Sequence, residues 1–597
     1  MDVYLDTAVG LGSCRLAIID LSTKGDQPMV VDGGDYAISF NGEIYNYLEL
    51  REELERSGVT FTSNSDTEVL LRFYIKNGVS CLEALRGMFA FAIWDKKLKK
   101  LFLARDRVGE KPLFYYYRNG MFAFASEIKS LLKIPDVPRE INPLGLHYGL
   151  HYVTIPPPYS PFKHIHKLRP SEYMIVSEEG ISCDRYWKPW TRNAPKITDS
   201  HEAAFEVRRC LEDTVRIMCR SDVPIAATLS GGLDSSSIVA MMSRRGIPFE
   251  TYCVSYDNPE RDLEFAAARL VATSCNTTHH ELIYDHSHLA SAAEFVRCFD
   301  EPFGTFVPLH AFVLSRLIGS RVKVAFSGSG GDELFGGYAD HRILYELDRN
   351  LPFWNKMGKS GIDWIAENSP NPSFKHFWQK CRNVVGLPFN MILAELRWRD
   401  VQKICSEMYT SGMHREIRGN DPLDLLVEAF EECQGTNLFE GFMFQQLFVG
   451  SHHSIVHLPD MIGMAHSLEY RSPFLDRDMI ELAMRIPAEL KVDLHRGDAG
   501  GKMVLRDACR GLLPQEILTM AKSPFGSQIP YHTWMVGSWA DYIRARLGSS
   551  KLADTGLFKT DLLVSRHERA CRDGAPQLDL DMLWGVAMIS QWLEEFF

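Results

Sequence analysis

Ala226-Ala-Thr-Leu-Ser-Gly-Gly-Leu-Asp-Ser-Ser236, running on into Ile238-Val-Ala-Met-Met242, sets an apolar run, a glycine turn and a helical pattern in immediate succession. A short apolar run closed by turn residues reads as a buried strand, and the turn brings a helix start to its C-terminal end. Unpaired N–H groups at such a start, together with the helix dipole, attract an anion. Ser230, Ser235 and Ser236 add hydroxyl donors, Gly231 and Gly232 let the backbone approach phosphate oxygens, and Asp234 suits Mg2+ rather than the phosphate itself. A generic Ser-Gly-Gly is more often a turn with helix-capping serines. The strand directly ahead of it favours a nucleotide site. The string lacks G-x-x-x-x-G-K-[ST] and is not a P-loop of that type.

Outward from this stretch, helical and strand patterns alternate. A helix is expected from Glu202 to Cys219, a strand from Pro224 to Leu229, a helix from Ser235 to Arg245 and a strand from Phe249 to Ser255. A helix from Leu263 to Thr273 and strands at His280–Ile283 and Val322–Phe326 follow. That rhythm predicts a parallel α/β sheet. A second glycine-rich run, Ser327-Gly-Ser-Gly-Gly-Asp-Glu-Leu-Phe-Gly-Gly-Tyr338, leaves the last of these strands. Two such loops at strand C-termini would flank the crevice where parallel sheets hold ligands, and Asp332 becomes a second candidate Mg2+ ligand. Alone, the second run would pass for a flexible loop.

The first third differs. Arg15–Ile19, Tyr36–Phe40, Phe89–Trp94, Lys100–Ala104 and Met121–Ala125 read as strands of a largely antiparallel system, with fragments at Val3 and Val9. Helices are expected at Tyr47–Arg56 and Thr67–Asn77, the second capped by Asp66. Proline clusters at 155–161 and 188–195 break the pattern, the second as a linker. The fold class is α/β multidomain: a layered α+β domain over 1–190, a linker at 191–200, a parallel-sheet α/β domain over 201–535 whose later part is helical, and a helical tail at 536–597 for packing or a homodimer contact. The apolar spacing of 351–446 is that of a packed helical core.

With 597 residues, two or three domains are required. A net charge of −12 argues against a nucleic-acid partner, which needs clustered Lys and Arg. The 13 cysteines form no C-x-x-C pair and none adjoins a His at metal-ligand spacing, so zinc is not expected from the linear pattern. No run approaches the ~18 apolar residues of a membrane span, and the start has no basic and apolar leader pattern. A cytoplasmic enzyme that contacts no membrane is the expectation.

Ser230–Ser236 resembles the pyrophosphate loop of the ATP-pyrophosphatase superfamily, and Ser327–Tyr338 resembles the matching segment of asparagine synthetases. Asp300-Glu-Pro-Phe303, Met464-Ala-His-Ser-Leu-Glu-Tyr-Arg-Ser-Pro-Phe-Leu-Asp476, Ile486–Lys491, Lys502–Arg506 and Lys522-Ser-Pro-Phe525 extend that likeness. It implies ATP and Mg2+ as cofactors and ATP cleavage between the α and β phosphates. The substrate carboxylate becomes an acyl-adenylate, and ammonia then displaces AMP. Lys502 matches the lysine that stabilises charge on the reacting phosphate; outside the family it would be a surface helix lysine. Leu229 and Val254 match the adenine and ribose pocket, beside Ser327 and Gly328.

Asn41-Gly-Glu-Ile-Tyr-Asn46 and Ser65-Asp-Thr-Glu68 resemble the glutamine-site motifs of amino-terminal-nucleophile amidotransferases. The resemblance gives Arg15 the glutamine carboxylate, Glu43 and Asp66 its ammonium, and Asn41 with the Gly42 N–H an oxyanion hole. The family's cysteine nucleophile, exposed as residue 1, has no counterpart here, because Met1-Asp2 opens the sequence roughly three dozen positions inside the family pattern. Cys14 lacks a free amine to serve as base. Either an upstream start is missing, or the ligase draws on free ammonia; the retained Arg15, Asn41, Glu43 and Asp66 favour the former. Ser329 stands where asparagine synthetases usually carry Glu or Asp near the acyl-adenylate. Aspartate is the first expectation, and another carboxylic acid, such as a sugar acid or secondary metabolite, the alternative. An inert nucleotide-binding relative would have no reason to keep Asp234, Asp332 and Lys502.

Overall fold

The computed structural model describes residues 2–189, 194–256, 263–368, 399–433, 437–449, 453–522 and 529–597. Part of the linker, the end of the Lys522–Phe525 motif and the 369–398 part of the helical stretch lie outside the described residues.

The amino-terminal region is built on strands β1 (Asp2–Leu5), β2 (Gly10–Ser13), β3 (Met29–Val31), β4 (Tyr36–Ile44), β5 (Gly87–Asp95), β6 (Lys100–Arg105), β7 (Phe114–Arg118), β8 (Met121–Ala125), β9 (Ile165–Lys167), β10 (Glu172–Ser177) and β11 (Gly180–Arg185). Six of them form an antiparallel sheet in the order β11-β10-β6-β5-β4-β3, three a second sheet β8-β7-β9, and β1 pairs with β2. The side-chain period of two splits β5 cleanly. Phe89, Phe91 and Ile93 pack toward Val69, Leu70 and Phe73 of the helix Asp66–Asn77. Ala90, Ala92 and Trp94 face Leu113, Leu168 and the partly buried Tyr115 and Phe122 of the smaller sheet. The result is a helix–sheet–sheet layering.

Beyond Ser200 the strands β12 (Ile225–Thr228), β13 (Glu250–Tyr256), β14 (Thr278–Tyr284), β15 (Val324–Phe326) and β16 (Glu469–Arg471) form one parallel sheet in the order β14-β13-β12-β15-β16. Ile225, Ala227, Val324 and Phe326 turn to one face, under the helices Ser200–Met218, Leu233–Arg244 and Leu263–Ser274. Ala226, Tyr252 and Ala325 turn to the other, under Ala292–Phe299, Val307–Gly319 and the last helix, Gln577–Phe596. Burial on both faces explains why these strands read as continuous apolar runs rather than alternating ones. The last helix is packed into this core: Trp584 and Trp592 are fully buried.

Three local expectations are corrected. Arg15–Ile19 is no strand; Ile18 and Ile19 bury against the second region's core, and the Ile18 carbonyl accepts from the Asp222 N–H. The cap of Asp66–Asn77 is Ser65, whose hydroxyl accepts from the Thr67 N–H, while Asp66 is the first helical residue and accepts instead from the Ile44 N–H. The later half, read as helical, also supplies β16, three residues held in place by the neighbouring β15. Among the described residues no helix is long and apolar enough to cross a membrane.

Candidate active site

The β12 turn is fixed by its own hydroxyls. Ser235 Oγ accepts from the Ser230 N–H, lies 3.1 Å from Ser230 Oγ and donates to the Gly232 carbonyl. The Leu229 N–H donates to Tyr252 O of β13 at 2.7 Å. Gly231 has φ +79°, and a Cβ there would sit 2.3 Å from the Glu264 carbonyl, so only glycine fits. Leu229 is buried in the core beneath the turn, whereas Val254 packs at the margin of the opposite core.

The β15 turn meets the first turn head on. A Cβ at Gly328 would lie 2.9 Å from the Ser235 N, one at Gly331 2.5 Å from Asp234 Cγ, and one at Gly337 1.8 Å from Asp332 Oδ1 and 2.3 Å from Lys502 Cε. These glycines are small because the two turns and the lysine occupy the space. The Ser327 N–H donates to Arg471 O of β16, and Ser327 Oγ lies 2.9 Å from Ser329 Oγ.

Between the turns sits a compact ionic cluster. Lys502 Nζ donates to Asp234 Oδ2 and lies 2.6 Å from Asp332 Oδ1, and Lys522 Nζ lies 2.9 Å from Asp332 Oδ2. Lys502 holds a left-handed backbone at φ +60°, a strained conformation for a residue with a Cβ, at the cap of the helix Met503–Ala508. Burial works to raise the Asp332 pKa, but the two ammonium groups override it and hold the carboxyl well below its usual range. Burial raises that of Asp234, which Lys502 only partly offsets. Asp234 Oδ1 and Ser236 Oγ are buried with no hydrogen-bond partner among the described residues. A buried carboxylate oxygen left open beside a second carboxylate fits a hard divalent cation, so Asp234 and Asp332 could hold Mg2+.

The residues expected to hold glutamine are arranged otherwise. Arg15 Nη2 donates to the carbonyls of Ile19 and Asp20 at 2.6 and 2.8 Å, and Nη1 lies 3.6 Å from Asp26. Asn41 Nδ2 donates to Ser126 Oγ at 3.2 Å. Gly42 has φ +149°, and a Cβ there would fall 2.1 Å from Met88 O. Glu43 and Asp66 are buried together; burial, then the charge of Asp66, pushes the Glu43 pKa well up, and burial lifts Asp66 to about 6.

Glu43 also reaches out of its own region. Its Oε2 lies 3.2 Å from Arg471 Nη2, while Arg471 Nε lies 2.9 Å from Glu469. Lys111 of the amino-terminal region lies 2.6 Å from Asp460 and 4.0 Å from Glu469. This buried chain of charges joins Glu43 to β16, whose Arg471 carbonyl holds the Ser327 turn. Arg471, Lys111 and Lys522 had no role in the sequence reading. Arg471 and Lys522 lay inside quoted motifs, but their partners come from distant segments.

The asparagine synthase family matches residues 206–594, and a glutamine amidotransferase domain matches residues 1–187. The chain is 30% identical over 594 residues to asparagine synthetase (glutamine-hydrolyzing) 1 of Bacillus subtilis, covering 99% of this chain and 90% of that protein. It is 35% identical over 374 residues to a putative asparagine synthetase (glutamine-hydrolyzing) 2 of Methanocaldococcus jannaschii, covering 58% of this chain and 71% of that one. It is 28% identical over 554 residues to amidase chry2 of Gibberella zeae, covering 87% and 80%. The two glycine turns, the ionic cluster and the amino-terminal motifs thus fall within matched segments, and the chain belongs to the asparagine synthase family, with a glutamine amidotransferase domain ahead of its synthase part.

Proposed function

We propose that the chain is an AMP-forming ligase that activates a carboxylic acid, aspartate first, with ATP and converts it to an amide with ammonia drawn from glutamine or solution. The observation that carries this is the meeting of the Ser230 and Ser327 turns around Asp234, Asp332 and Lys502. A carboxylate is a poor acyl donor, and joining it to AMP supplies a leaving group. The turn hydroxyls and N–H groups of Ser230–Ser236 would grip the pyrophosphate side. Lys502, tethered by two carboxylates, offers fixed positive charge where the reacting phosphate gathers negative charge. Mg2+, when bound to Asp234 and Asp332, would neutralise phosphate charge, and Lys502 and Lys522 would then turn from the carboxylates toward the substrate.

Ser329 favours keeping the choice of acid open. Its hydroxyl pairs with Ser327 Oγ, and a serine cannot act as a carboxylate base at neutral pH. Pyrophosphate release tests the reading, measured with MgATP, ammonium chloride and a panel of acids. Release dependent on aspartate supports the synthetase; release with a sugar acid or other acid alone supports a divergent ligase; none with any acid overturns the proposal. Glutamine replacing ammonium chloride reports the nitrogen source.

A further inference from the structure

The parallel register of β13 and β14 sets Thr251 opposite His279 and Cys253 opposite Glu281. Because side chains two apart share a face, these four form one block. It lies under the helix Leu263–Ser274, whose Arg269 reaches down to Glu281 through Nε at 2.6 Å and Nη2 at 2.8 Å. Cys253 Sγ is 3.3 Å from His279 Nε2, which is 3.8 Å from Glu281 Oε1. The three atoms all lie within 4.8 Å of one another. A tetrahedral zinc site, with Zn–S about 2.3 Å and Zn–N or Zn–O about 2.0–2.2 Å, separates neighbouring ligand atoms by roughly 3.4–3.6 Å. The Sγ–Nε2 and Nε2–Oε1 spacings bracket that range.

The surroundings orient each ligand. His279 Nδ1 lies 2.9 Å from Thr251 Oγ1, which turns Nε2 toward the thiol. Arg269 steadies Glu281 while leaving carboxylate lone pairs for a metal. Glu281 lies at the more open side of the block, giving an ion a way in. One thiolate, one neutral imidazole and one carboxylate balance a divalent charge, and the donor set S, N, O suits zinc rather than magnesium.

We propose that Cys253, His279 and Glu281 form a site for one zinc-class divalent ion, with water in the fourth position, separate from the Asp234–Asp332 pair. On binding, the Cys253 S–H bond breaks, its proton passes to solvent and an S–metal bond forms. The ion would pin the edge strand β14 to β13, the strand that also carries Val254. No C-x-x-C or His spacing announces the site in the sequence, because its ligands come from two strands joined only by the sheet.

Titration of the full chain with Co2+ as the zinc probe, in excess Mg2+ and without thiol reductant, tests this. The expected result is one equivalent bound with a thiolate-to-cobalt charge-transfer absorption, abolished in Cys253→Ser and His279→Ala. Glu281→Gln, at the open side where folding is not at issue, and Arg269→Ala should each weaken binding about 10–100-fold. No thiolate–cobalt absorption in the wild-type chain, or an absorption unchanged in Cys253→Ser, would overturn the proposal.

Discussion

The two candidate sites use the same residue types in opposite ways. Around Asp234 and Asp332, two lysines meet two carboxylates in direct ion pairs, and Asp234 Oδ1 is left without a hydrogen-bond partner among the described residues. In the amino-terminal site most charges are closed on the protein: Arg15 on loop carbonyls, Asp66 on the Ile44 N–H and Glu43 Oε2 on Arg471, while Glu43 Oε1 is left without a hydrogen-bond partner among the described residues. The first arrangement is the one proposed to receive an anion and a cation. In the second, a ligand would have to displace internal partners, and Glu43 would link that exchange to β16 through Arg471.

The largest effect expected from breaking this contrast is at Arg471. Removing one member of a buried ion network leaves the others uncompensated, so Arg471→Met should lower unfolding stability by about 3–5 kcal/mol, read from denaturant midpoints. A loss below ~1 kcal/mol would mean the chain of charges is not a structural link between the sites. Next is Lys502→Ala. Losing a fixed donor at a developing anion should cut acid-dependent pyrophosphate release about 10²–10³-fold, with Lys522→Ala falling less because it reaches only Asp332. Equal rates in wild type and Lys502→Ala would remove the lysine from the chemistry.

A smaller effect concerns Glu333, buried beside Asp332 with the Tyr338 hydroxyl donating to it. Burial, then the Asp332 charge, lifts its pKa from 4.5 to about 7. Because the folded value exceeds the unfolded one, its stabilising contribution is full below about pH 4.5 and is lost as pH rises through about 7. Glu333→Gln, whose amide oxygen can still accept from Tyr338, should therefore gain about 1–3 kcal/mol relative to wild type between pH 5 and 8. A pH-independent difference in chemical denaturation would contradict that. The smallest effect is at Arg15. Arg15→Ala should weaken the chain by about 1 kcal/mol, the scale of its loop hydrogen bonds, and leave ammonium-supported pyrophosphate release unchanged.

Much of the synthase part was legible because its signals are local. A buried strand, a glycine turn and a helix start lie within a dozen residues, and the helix–strand alternation that follows places β12 to β15 with ends shifted by one or two residues. What stayed hidden depends on distant pairing. The three residues of β16 carry no periodicity and are strands only because β15 is beside them. Arg15–Ile19 looked like a strand by composition, yet its isoleucines are buried by the second region rather than by a sheet. Lys522 and Arg471 could be quoted but not interpreted, since Asp332 and Glu43 are their partners only in three dimensions. The Cys253–His279 pair was invisible for the same reason.

The central claim is that the acid's own carboxylate attacks ATP at the α-phosphate within the Asp234–Asp332–Lys502 cluster. It is tested most directly by supplying aspartate labelled with oxygen-18 in its carboxylates, with MgATP and ammonium chloride, and weighing the nucleotide product by mass spectrometry. The account predicts AMP carrying one labelled oxygen, alongside unlabelled pyrophosphate. Label in inorganic phosphate with ADP as the nucleotide, or AMP formed without label, would contradict it.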